Sequence, residues 1–150
     1  MSRCTHILLA DDDKDDVELF QSAVKECAPD LMVWTAENGK ALLELLDKVP
    51  SPDVIILDLN MPYLNGYECL QKIRMNSNYI HIPVMVYSTS TSQTEIDKCL
   101  NNGADYYVIK PHSFSALEKL VGDLANGKFS SRLKTFVSPA SGAEQIGWHD

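Results

Sequence analysis

The chain has 150 residues, 45% hydrophobic and 23% charged, which is enough for one sizeable core and leaves little room for a second domain. Its formal net charge of -8 excludes a general nucleic-acid binder, whose phosphate-facing surface needs clustered Lys and Arg. MSRCTH leads into a short apolar run and no run reaches membrane-spanning length, so the expectation is a soluble cytoplasmic protein without signal peptide or membrane insertion.

Ile7 to Ala10 read as a first strand, and Val17, Leu19, Phe20, Ala23 and Val24 mark a helix after it. Leu31 to Ala36 form a second strand. Asn38-Gly39 then reads as a turn, and Ala41, Leu42, Leu45 and Leu46 as the apolar stripe of a second helix. PDVIILDL, Pro52 to Leu59, is apolar on both faces, as a central parallel strand requires. Tyr67, Leu70, Ile73 and Arg74 begin a third helix that ends at Asn76-Ser77-Asn78. Pro83 to Tyr87 is a fourth strand, followed by a Ser/Thr-rich loop and a helix carrying Ile96, Cys99 and Leu100, which stops at Asn101-Asn102-Gly103. Tyr106 to Ile109 is the fifth strand. The last helix takes Ser113 as N-cap, turns Leu117, Leu120, Val121 and Leu124 inward and stops at Gly127. Strands alternating with helices in this way predict a parallel α/β sheet over residues 1–127.

From Lys128 the pattern fades into a Ser-, Gly- and Ala-rich tail, 128–150, in which Phe129, Phe136 and Trp148 keep open packing on a surface or partner. No second motif set or basic helix-turn-helix follows, so no DNA-binding output domain is expected. Cys4, Cys27, Cys69 and Cys99 are far apart without a C-x-x-C pair and read as reduced packing thiols, not a zinc site. His6, His81, His112 and His149 fall in no motif and read as structural or exposed.

Ligands of open parallel sheets collect at the carboxyl ends of strands, near the point where strand order reverses. Strand one ends at Asp11, Asp12 and Asp13, strand three at Asp58, strand four at Ser88 and Thr89, and strand five at Lys110. Carboxylates suit a hard cation such as Mg²⁺, which takes one or two of them plus a phosphate oxygen. A carboxylate is also a nucleophile toward phosphorus, and a metal, a lysine and a hydroxyl are the groups that neutralise a phosphoryl in transit. Asp58, alone at the central strand, is the natural acceptor. Read singly, the acids of Asp11 to Asp16 also suit a solvated helix N-terminus, and that is the reading for Asp13, Asp15 and Asp16.

With Asp11-Asp12, ILDLNMPYLNG around Asp58, Ser88 and Lys110-Pro111 in order at these strand ends, residues 6–127 resemble the receiver domains of two-component response regulators, the CheY-like superfamily. DDDKDD and KPHSF are similar to motifs of its single-domain bacterial members. The resemblance implies a doubly wound, flavodoxin-like (βα)5 fold with strand order 2-1-3-4-5. It implies Asp58 as phospho-acceptor, Mg²⁺ or Mn²⁺ held by Asp11, Asp12, Asp58 and the Asn60 carbonyl with Asp11 acting through water, and catalytic roles for Ser88 and Lys110. Ser88 and Tyr107 become the switch pair, Ser88 moving toward the phosphoryl and drawing Tyr107 inward. Asn60 and Ser90 stand where the family influences phosphoryl loss, and the Lys110-Pro111 peptide is expected cis. The implied partners are a sensor histidine kinase or histidine phosphotransfer protein and a downstream protein target. A homodimer through the helix-four, strand-five, helix-five surface around Ile96, Leu100, Tyr107 and Leu117 is a further implied contact, with no direct nucleic-acid binding. The protein is then a phosphoacceptor that assists its own phosphorylation and dephosphorylation rather than an enzyme with turnover. Two alternatives stay open: a receiver-like module that binds without phosphorylation, and a haloacid-dehalogenase-like phosphatase, whose D-x-D motif Asp11-x-Asp13 mimics.

Overall fold

Strands apolar on both faces belong inside a sheet covered on both sides. In the computed structural model, which describes residues 4–128, these are β1 (His6–Ala10), β3 (Val54–Leu57) and β4 (Val84–Ser88), flanked by β2 (Met32–Ala36) and β5 (Tyr106–Ile109) at the edges. The order is β2-β1-β3-β4-β5 and every pairing is parallel, the doubly wound topology expected. At its edge, β2 leaves Met32 half exposed.

The five helices divide between the two faces because each strand alternates its side chains. Ile7, Leu9, Val54, Ile56 and Val108 point to one side, where they meet Phe20 and Val24 of α1 (Lys14–Cys27) and Leu117, Leu120 and Leu124 of α5 (Phe114–Ala125). Leu8, Ile55, Leu57, Val84 and Tyr107 point to the other. There they meet Leu42 and Leu46 of α2 (Gly39–Leu46), Leu70 and Ile73 of α3 (Gly66–Met75), and Ile96 and Cys99 of α4 (Gln93–Asn101). Each such fully buried aliphatic side chain contributes about 1.5–3 kcal/mol from apolar burial. All four cysteines are free, Cys4, Cys69 and Cys99 inside and Cys27 outside, and His6 stacks on Trp34.

Some expectations change. Leu19 is 49% exposed, because the inward stripe of α1 runs through Phe20, Ala23 and Val24. Asn38-Gly39 is a helix start rather than a turn: the Asn38 side chain accepts from Ala41 N–H as N-cap, and Gly39 opens α2. Glycine is needed there for close approach, since a Cβ would lie 2.2 Å from the Leu64 carbonyl oxygen. Ile96, Tyr107 and Leu117, expected around an outer signalling face, are core residues; only Leu100 of that set is partly exposed, because these positions are the inward stripes of α4, β5 and α5. Every described peptide bond is trans, Lys110-Pro111 included. The expected tail, with Phe129, Phe136 and Trp148, lies outside the described residues apart from Lys128, as does His149.

The loop after β3 is pinned by a reciprocal cap. The Asn65 side chain accepts from Glu68 N–H at 3.0 Å while the Glu68 carboxylate accepts from Asn65 N–H at 3.1 Å. Asn65→Ala is expected to lower stability by about 1 kcal/mol. Urea unfolding of the two proteins measures it, and coincident curves would show that the cap contributes nothing.

Candidate functional site

The parallel ladder continues one residue past the strands and so sets the site. Asp11 N–H donates to the Ala36 carbonyl at 3.0 Å and Asp58 N–H to the Ala10 carbonyl at 2.9 Å, which places both carboxylates side by side where the chain diverges from β1 to β2 and β3. Lys110 N–H donates to the Ser88 carbonyl at 2.8 Å, extending β5 against β4. Gly66 brings α3 down onto this rim, since a Cβ there would lie 2.7 Å from the Asp58 carbonyl oxygen.

Asp11, Asp12 and Asp58 each offer an oxygen within 4.8 Å of the others. Asp11 and Asp58 are buried and Asp12 is exposed, so the cluster opens to solvent on one side. Asp11 Oδ1 accepts from Asp13 N–H at 2.9 Å, while its buried Oδ2 accepts no hydrogen bond of good geometry. Asp58 Oδ1 accepts from the N–H of exposed Asn60 at 3.2 Å. Hard oxygens from two buried carboxylates and one exposed one, this close together, fit a divalent cation.

Lys110 reaches this cluster from β5. Its Nζ lies 2.8 Å from Asp16 Oδ2, 3.0 Å from Asp11 Oδ2 and 3.5 Å from Asp58 Oδ2, and 5.4 Å above the Tyr87 ring. Burial works to lower the pKa of this ammonium, but the Asp16 hydrogen bond and the charges of Asp58 and Asp11 outweigh it, so the group stays charged above its ordinary range. Burial pushes the Asp11 carboxyl well above the usual carboxylate range, against the pull of Asp13 N–H and Lys110. One cation thus holds three carboxylates together, a charge balance with a net negative excess.

Ser88 is 2% exposed and its Oγ accepts from Ser90 N–H at 3.2 Å, leaving its own proton to donate. Tyr107 is fully buried, and its hydroxyl donates to the Ser90 carbonyl at 2.9 Å. Burial raises the phenol pKa while hydrogen bonding with Ser88 and Ser90 lowers it, and the ring is tied through Ser90 to the segment that follows Ser88 at the end of β4.

Asp16, expected to be an acid of a solvated helix N-terminus, is instead half-buried and makes the shortest contact with Lys110. The signal was present in Asp13, whose side chain accepts from Asp15 and Asp16 N–H as N-cap of α1 and so puts Asp16 at the third helical position. Side chains there lean back toward the helix start, here toward the rim of β1. The Asp13 carboxylate is engaged in this cap and is not one of the clustered carboxylates, which counts against the D-x-D phosphatase reading.

Comparison with known proteins places this arrangement. The profile of the response regulator receiver domain matches residues 7–122. The two-component response regulator ARR17 of Arabidopsis thaliana is 35% identical over 132 residues, covering 81% of this chain and 85% of its own length. The Mn²⁺-bound form of the response regulator Rcp1 superposes with a TM-score of 0.70 at 29% identity, covering 80% of this chain and 91% of that one. A phosphorylated cyanobacterial phytochrome response regulator, RcpA, superposes with a TM-score of 0.75 at 27% identity, covering 85% and 97%.

Proposed function

Because this chain belongs to the response regulator receiver family, whose function is to accept a phosphoryl group in two-component signalling, we propose that Asp58 is its phosphoryl acceptor. The observation that carries the assignment is the placement of Asp58: buried at the end of central β3, 3.5 Å from the Lys110 ammonium and within one cluster with Asp11 and Asp12.

The donor is a phosphohistidine on a sensor kinase or phosphotransfer protein, the class of partner with which two-component response regulators interact. An Asp58 carboxylate oxygen attacks phosphorus; the O–P bond forms as the N–P bond breaks, and the imidazole leaves with that electron pair and takes up a proton. Asn60 N–H holds the other Asp58 oxygen, Lys110 neutralises charge on the transferred group, and the Ser88 hydroxyl donates to one of its oxygens. Asp11, Asp12, Asp58 and the Asn60 carbonyl are the groups that would hold Mg²⁺ or Mn²⁺, which supplies further charge neutralisation at the phosphoryl oxygens. Water uses the same groups to hydrolyse the acyl phosphate, so the chain assists both gain and loss of its phosphoryl group.

Movement of Ser88 toward the phosphoryl pulls on the Ser90 segment that Tyr107 is bonded to, and so transmits the change to the α4–β5–α5 side. Contacts with a downstream protein or a second copy are made there, where Phe114 is an exposed apolar group at the start of α5. The receiver unit is residues 1–127, with 128–150 as its tail. Among the described residues no helix is long and apolar enough to cross a membrane.

Incubation with acetyl phosphate and Mg²⁺ is expected to add one phosphoryl group per chain, and chelating the metal to prevent it. An unmodified folded protein in the presence of several small phosphodonors and of its kinase would overturn the proposal. Asp12→Asn, which removes the exposed arm of the cluster, is expected to raise the Mg²⁺ Kd by about tenfold or more in calorimetric titration. An unchanged Kd would remove Asp12 from the ligand set.

A further inference from the structure

Lys110 is the lysine that the transferred phosphoryl needs, and in this structure it is held elsewhere. Its ammonium donates to Asp16 Oδ2 at 2.8 Å, while Asp11 Oδ2 lies 3.0 Å and Asp58 Oδ2 3.5 Å away. Asp16 lies outside the Asp11, Asp12 and Asp58 cluster and belongs to α1, whose N-cap geometry fixes its direction. Resting on the assignment of Asp58 above, we propose that Asp16 is a positioning residue: it holds the Lys110 ammonium while Asp58 is unphosphorylated and competes with the phosphoryl group for it.

Two consequences of opposite sign follow from the geometry. By taking the ammonium, Asp16 draws it partly off Asp11 and Asp58 and leaves those oxygens more available to a cation. Its fixed negative charge, beside the place where a phosphoryl dianion must sit, also opposes arrival and retention of that group. The Asp16 side chain is 32% exposed against 0% for Asp11, so water can solvate it when the lysine leaves. Release is therefore cheaper from Asp16 than from Asp11, which suits a contact made in one state and given up in the other.

The test is a split readout on wild type, Asp16→Asn and Asp16→Glu, each checked for folding by circular dichroism. For Asp16→Asn the Mg²⁺ Kd from calorimetry is expected to rise about threefold while the rate of modification by acetyl phosphate at saturating Mg²⁺, or the lifetime of the adduct, rises by a similar factor. Asp16→Glu keeps the charge and is expected to return both quantities toward wild type. In a Lys110→Met background Asp16→Asn is expected to shift the Mg²⁺ Kd by clearly less than in the presence of the lysine, because only the direct charge effect remains. Damage to α1 alone would weaken metal binding and slow modification together, and that result overturns the proposal. So does an unchanged pair of values in Asp16→Asn, or a Kd shift just as large without Lys110 as with it. The wild type in the same run separates the two levels: modification at Asp58 with no effect of residue 16 sinks this inference alone, whereas a wild type that takes no phosphoryl group sinks the Asp58 assignment and this inference with it.

Discussion

Asp58→Asn is expected to abolish the phosphoryl adduct, a loss of about a hundredfold or more in modification rate, while leaving the fold intact. Asn has nearly the shape of Asp, so the Asp58 N–H bond to Ala10 and the position of β3 are kept. What disappears is the anionic oxygen that attacks phosphorus and one of the carboxylates around Lys110. Because the cluster carries more negative than positive charge, removing one buried carboxylate also relieves repulsion, and the variant is expected to unfold no more easily than wild type. Intact mass after incubation with acetyl phosphate and Mg²⁺, with a urea curve beside it, reads both. A full-strength adduct on the variant would move the acceptor to another carboxylate.

Lys110→Met is expected to have the second largest effect and the reverse stability signature. The side chain keeps its length against the Tyr87 ring, but Asp11, wholly inaccessible, and Asp58, 8% exposed, lose the only cation within 4 Å of them among the described residues. Removing one partner of a buried ion group leaves the others uncompensated, and a loss of about 2–4 kcal/mol follows in metal-free buffer. Mg²⁺ supplies the missing charge, so it is expected to stabilise the variant more than wild type by linkage. Modification by small phosphodonors is expected to fall about tenfold or more, since the lysine neutralises the transferred group. Unfolding curves with and without Mg²⁺ check this; equal stability in metal-free buffer and an equal gain from metal would show that Lys110 does not balance the cluster.

Much of this was legible in the residues themselves. VIIL of β3 is apolar at every position, which only a strand covered on both faces tolerates, and the sheet order then brings the ends of β1, β3 and β5 to one rim. Period and turn residues found the helices and the inward stripes of α2 and α5, but not which of two apolar neighbours in α1 faces out. Leu19 and Phe20 are neighbours in a mixed sequence, and only packing against α5 decides that Phe20 goes in. For the same reason Ile96, Tyr107 and Leu117 were read as a face when they are core: apolar character marks burial somewhere, and a surface has to be argued from exposure. Asn38-Gly39 carried two signals, a turn and a cap, and the tertiary approach of Leu64 selected the cap. Asp16 was hidden by a local rule that is correct as far as it goes. Acids do favour helix N-termini, and nothing within α1 reveals that Lys110, 94 residues later, will be its partner.

Borohydride reduction of the freshly modified protein tests the central assignment most directly, because it converts the aspartyl phosphate, and no free carboxylate, into homoserine that peptide mass mapping can locate. Homoserine at position 58 alone, formed only when phosphodonor and Mg²⁺ were both present, is the result the site geometry predicts. Homoserine at position 11 or 12 with residue 58 still Asp would contradict it.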